Sequence, residues 1–177
     1  MPTADLLDAT SPPTPLAGVE RIAQRWPAAR PFVVVGVSSV VVGGFVAAVA
    51  GPTGFELGSW VAAYLVLVAG VAQVALGAGQ AWLAECRPPA TTRRAELATW
   101  NVGVVCTLAG SVASAPLLST VGAVATVVAL VLFARAVATG RPPDRRRGRT
   151  SIAYVCLVVA LAISTPVGLV LAWVRHG

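Results

Sequence analysis

The sequence contains no lysine; all thirteen of its basic residues are arginine. Histidine and methionine occur once each, cysteine three times, and charged residues make up 11% of the chain, against about 25% in an ordinary soluble domain. Each shortage closes off a class of chemistry. With His176 and Met1 alone, this chain lacks the ligands for a haem or blue-copper centre. A Ser-His-Asp set cannot form within one chain whose sole histidine is its penultimate residue. The HExxH and CxxC patterns are absent, and no metal or other cofactor is expected. Three cysteines make no disulfide framework. Cys106 and Cys156 lie inside apolar runs, where cysteine acts as a small apolar side chain, and Cys86 falls at a helix end. The pair Gly77 and Gly79 lies within an apolar run and lacks the following Gly-Lys-Ser/Thr or strand-turn context of a nucleotide-binding loop. Acids are few, and Glu56, Glu85 and Glu96 are scattered along the chain, which argues against a lipid-modifying enzyme. The expectation is a protein that is not an enzyme.

Apolar residues fill the space left by these shortages, at 56% of the chain. They fall into five runs, near 32–50, 57–84, 97–114, 117–139 and 151–174. A bilayer is crossed by about 20 apolar residues in a helix. The fold class expected is therefore all-α, a polytopic membrane helix bundle of five transmembrane helices. The second run organises the rest. Its Ser59, Ala63, Val66, Gly70, Gln73, Gly77, Gln80 and Ala84 recur at steps of three and four and share a helical face. Apart from Val66 that face is small or polar, and in lipid such a face marks the packed side. Similar spacings recur in the other runs: Ser39, Gly43 and Ala47; Gly103, Thr107, Gly110 and Ser114; Gly122, Thr126 and Ala129; Ala160, Ser164, Gly168 and Ala172. Pro166 should kink the last run, with Ser164 or Thr165 helping to satisfy the freed carbonyl.

Residues 1–15 are Pro- and Thr-rich and read as a disordered tail. Residues 16–30 carry Leu16, Val19, Ala23 and Trp26 on one face, as in a short interfacial amphipathic helix, with Pro27 and Pro31 separating it from the membrane domain 31–177. The end of the first run, Ala48-Val49-Ala50, looks like a signal-peptidase site. The long lead with acidic groups argues for an uncleaved span. Glu56, before the second run, suits a helix N-terminus. The turns are short: Gly51-Pro52-Thr53-Gly54 after the first run and a break at Pro116 between the third and fourth.

Five spans put alternate loops on one side. That side then holds Arg21, Arg25, Arg30, Arg87, Arg93, Arg94, Arg135, Arg141, Arg145, Arg146, Arg147 and Arg149, and the other holds Arg175 alone. Basic loops stay in the cytoplasm, so the N-terminus is expected inside and the C-terminus outside. Trp60 and Trp173 then mark the outer boundary, and Trp82 and Trp100 the inner one. The net charge of +6 thus serves orientation, and no nucleic-acid partner is expected. The densest cluster, Arg141, Arg145, Arg146, Arg147 and Arg149, can also contact anionic lipid headgroups, each worth about 1 kcal/mol near the surface.

Within the spans of this reading there is no Asp, Glu, Lys or His, which weighs against proton coupling. The polar candidates are Gln73, Gln80, Asn101 and Thr107. Gln80 and Asn101 fall at similar depth on antiparallel helices, so a bond between them is expected. An interhelical bond of that kind is worth about 0.6–2 kcal/mol, and Gln73→Leu or Gln80→Leu should mainly reduce stability. The runs Tyr64 to Gln80 and Trp100 to Val105 resemble those of small multi-pass membrane proteins of unassigned activity in high-GC bacteria. That resemblance covers the membrane region and brings no catalytic residues. The function expected is a structural or accessory subunit of a bacterial cytoplasmic membrane, with a membrane protein partner or a homo-oligomer. The alternative is a small transporter or pore for a neutral or weakly polar solute, lined by the four polar candidates.

Overall fold

The structure, a computed structural model, describes residues 15–84, 89–139 and 149–176. It is all helical over these residues. Helix α1 spans Pro15–Thr53, α2 Gly58–Leu83, α3 Ala90–Val112, α4 Pro116–Thr139 and α5 Arg149–His176. Three of them, over Ala23–Thr53, Gly58–Leu83 and Pro116–Thr139, are long and apolar enough to cross a membrane. The tail to residue 14, Cys86, Arg87, Arg141, Arg145, Arg146 and Arg147 lie outside the described residues, and Arg149 begins α5.

Pro27 and Pro31 do not divide the first helix, contrary to the sequence expectation; α1 carries both inside it. Proline removes a helical N–H, so Pro31 leaves the Pro27 carbonyl without its usual donor. Arg93, from α3, supplies one: its Nη1 donates to the Pro27 carbonyl at 3.2 Å. A second arginine does the same for α2. The last carbonyls of a helix have no partner within it, and Arg25 Nη1 donates to those of Ala81, at 3.0 Å, and Trp82.

The turns follow the punctuation of the chain. After α1, Phe55 N–H returns to the Ala50 carbonyl at 3.1 Å while Gly54 takes φ +65°, a left-handed conformation that suits glycine. Between α3 and α4 the break at Pro116 is as expected. Ala115 N–H bonds the Gly110 carbonyl at 2.8 Å, and Ser114 adopts φ +52°. The helices on either side form a close antiparallel pair. A Cβ at Gly103 would stand 2.6 Å from Thr126 Oγ1 and 3.0 Å from the Gly122 carbonyl, so only hydrogen fits there.

The organising face of α2 is displaced part-way along. Gly70, Gln73, Gly77, Gln80 and Ala84 are buried as expected, but Ser59 and Ala63 are exposed, and Gly58 and Ala62 are buried in their place. Between the two halves, Leu65–Ala72 is π-helical. A π turn holds more residues than an α turn, so it rotates the C-terminal half of the helix relative to the N-terminal half. The core gathers where α1, α2, α3 and α4 meet. Phe32 and Phe133 lie 5.5 Å apart between ring centroids, Trp100 meets Phe133 edge-on at 6.3 Å, and Leu76 is fully buried beside them. Trp100 is therefore a core residue, whereas Trp82, half exposed, lies on the surface. Helix α5 joins through Tyr154, whose hydroxyl donates to the Phe133 carbonyl at 3.4 Å.

Candidate functional site

The four polar candidates separate into three environments. Gln73 and Gln80 stand seven residues apart on the buried face of α2 and are enclosed by neighbouring helices. Gln80 does not bond Asn101. Its Nε2 donates to Glu96 Oε1 at 2.8 Å, and both side chains are buried. Asn101 donates instead to the Leu97 carbonyl of its own helix at 2.7 Å. The helical repeat explains the exchange. Glu96, Trp100, Gly103, Thr107 and Gly110 step by four and three along one face of α3, and Asn101 lies about 140° around from Glu96. Gln73 has no hydrogen-bond partner for either amide atom among the described residues.

Glu96 is the residue that sequence reading leaves outside the site, because it immediately precedes the third apolar run. Its place on the Trp100 and Gly103 face is the available signal. Burial pushes its carboxyl above the usual carboxylate range, opposed by the hydrogen bond from Gln80 and by the charge of Arg93. Glu96 Oε2 and Arg93 Nε are buried without a partner among the described residues.

Thr107 belongs elsewhere, to a cavity of about 280 Å³ toward the α3–α4 hairpin. Trp60, Tyr64 and Trp100 form aromatic walls, and Thr107, Ser119, Thr126 and Ser164 are among the hydroxyls that line it. Trp60 stacks on Tyr64 at 5.4 Å between centroids, and Tyr64 is hydrogen-bonded to Thr107. Three lining hydroxyls donate to carbonyls of their own helices: Thr126 to Gly122 at 2.9 Å, Ser164 to Leu161 at 2.9 Å and Thr165 to Leu161 at 2.8 Å. Pro166 deprives the Ala162 carbonyl of its helical donor, yet Ser164 and Thr165 both serve Leu161 instead. Trp100 Nε1 has no acceptor among the described residues. Among the described residues no carboxylate, arginine or histidine lines the cavity.

A second concavity, a shallow groove between α1 and α2, is lined by small residues including Gly43, Gly44, Ala47, Gly51, Ser59 and Ala63. A side chain grown from Gly44 or Gly51 would meet open space among the described residues. Among the described residues no group of three or more His, Cys, Asp or Glu comes together to hold a metal ion. Compared with known proteins, the chain matches no family model, no curated protein and no solved structure.

Proposed function

We propose that this chain is a non-enzymatic accessory subunit of a bacterial cytoplasmic membrane, crossing it five times with the N-terminus inside and the C-terminus outside. The arginine alternation supports the topology. So do the contacts of Arg25 and Arg93, which tie the basic ends of α1, α2 and α3 together. The cluster Arg141, Arg145, Arg146, Arg147 and Arg149 then meets anionic headgroups on the cytoplasmic side. The glutamines that could have handled a solute are used in packing: Gln80 holds Glu96, and Gln73 is sealed between helices.

The observation that carries the accessory role is the groove between α1 and α2. Small residues let helix backbones approach closely, which is how helices associate in lipid. Gly44 and Gly51 offer such a surface to a transmembrane helix of a partner protein. Native mass spectrometry after gentle extraction tests this, with Gly44→Leu as the variant. The wild type should carry a second protein in fixed ratio. Gly44→Leu should lose it while its own melting temperature stays within about 2 °C of wild type, because among the described residues nothing stands within 4 Å of a Cβ at that site. A bare chain, a homo-oligomer, or a partner retained by Gly44→Leu would overturn the assignment.

The alternative of a small transporter or pore draws support from the hydroxyl-lined cavity rather than from Gln73 and Gln80. Stopped-flow uptake of glycerol into vesicles containing the purified chain separates the two readings. The accessory role predicts the rate of empty vesicles.

A further inference from the structure

Trp100 belongs both to the core and to the wall of the cavity. The residue is fully buried, yet its indole N–H finds no acceptor among the described residues. A buried donor without an acceptor is unfavourable, and more so where water is scarce. The hydroxyls around it present the opposite need. Thr126, Ser164 and Thr165 have their protons committed to helix carbonyls, so each turns oxygen lone pairs, and no proton, toward anything that enters. Thr126 also packs against Gly103, one turn from Trp100 on α3, and both Thr126 and Trp100 line the cavity.

We infer that the cavity is a binding site for a small neutral molecule carrying a hydroxyl group on an aromatic or similarly compact apolar body. Such a hydroxyl oxygen accepts from Trp100 Nε1, and its proton goes to a lining hydroxyl such as Thr126 Oγ1. Neutrality follows from the wall, where the described residues include no carboxylate, arginine or histidine to balance a charge. Size follows from the volume of about 280 Å³. An engineered cavity of about 150 Å³ holds one benzene ring, so two fused rings suit this one. The aromatic side chains Trp60, Tyr64 and Trp100 provide the apolar contact. The inference concerns binding alone; it holds whether or not the chain joins a partner or passes a solute.

The test uses the purified full chain in detergent micelles, equilibrium dialysis, and two probes that differ by one hydroxyl, 2-naphthol and naphthalene. Uptake by empty micelles is subtracted. The wild type should bind one 2-naphthol per chain, saturably, and naphthalene about tenfold more weakly. Trp100→Phe keeps the ring and removes the N–H. It should weaken 2-naphthol about tenfold and leave naphthalene unchanged. Ala123→Met, which fills the cavity from α4, should abolish saturable binding of both probes. Uptake equal to that of micelles, equal affinity for the two probes, or undiminished binding by Ala123→Met would overturn the inference. Should Trp100→Phe fail to fold, the two probes on the wild type and on Ala123→Met decide the matter.

Discussion

Gln73 and Gln80 lie two turns apart on one face of α2 and should answer differently to the same substitution. Gln80 satisfies a buried carboxyl, so Gln80→Leu strands Glu96 Oε1 and should cost about 1–3 kcal/mol. Gln73 makes no bond among the described residues, so Gln73→Leu exchanges an unsatisfied amide for an apolar side chain and should be neutral or stabilising. This revises the sequence expectation that both changes destabilise. Thermal unfolding in detergent checks the pair; equal losses for both would contradict the account. Glu96 adds a pH dependence. Its carboxyl is raised in the folded chain, so the folded state favours the protonated form. That contribution is complete below the ordinary carboxylate value and is lost as pH rises through the raised one. Glu96→Gln, which keeps an acceptor for Gln80, should flatten that part of the melting-temperature profile. An unchanged profile would assign the slope to another group.

At the scale of the element, two features separate what sequence periodicity carries from what it does not. The α3–α4 pair was legible: Gly103, Gly110, Gly122 and Thr126 recur at helical spacing, and all are buried between the two helices. Gly103→Leu should therefore overpack that interface and destabilise by at least about 1–3 kcal/mol, in contrast to Gly44→Leu at the open groove. Equal melting temperatures for these two variants would refute the packing described. The π-helical stretch of α2 was not legible. Nothing in Leu65–Ala72 marks a change of hydrogen bonding, and a face traced at 3.6 residues per turn runs straight through it, placing Ser59 and Ala63 inside when they are exposed. The unbroken α1 was hidden for a different reason. Local rules put a break at Pro27 and Pro31, and the donor that answers the freed carbonyl comes from Arg93, in another helix.

For the whole molecule, the same contrast explains the candidate site. The buried face of α2 was visible in composition because small and polar residues stand out among valines and leucines. The cavity was not, since its hydroxyls come from three helices whose relative placement no local pattern encodes; of the four candidates only Thr107 reaches it. Glu96 is hidden by its position at the edge of a run, although its helical face already points inward. The apolar side chains left exposed along α1, among them Val34, Val41 and Phe45, need lipid or a partner to cover them, as a membrane bundle requires. The central claim is that this bundle crosses the membrane five times. It is tested most directly by labelling single cysteines with a membrane-impermeant maleimide in intact spheroplasts. Cys86, Cys106 and Cys156 are first replaced by serine, and Thr53→Cys, Thr91→Cys and His176→Cys are then introduced one at a time. Five spans with the N-terminus inside predict labelling at positions 53 and 176 and none at 91 until the membrane is permeabilised. Protection at 176 together with labelling at 53 would mean an even number of spans, and would contradict the account.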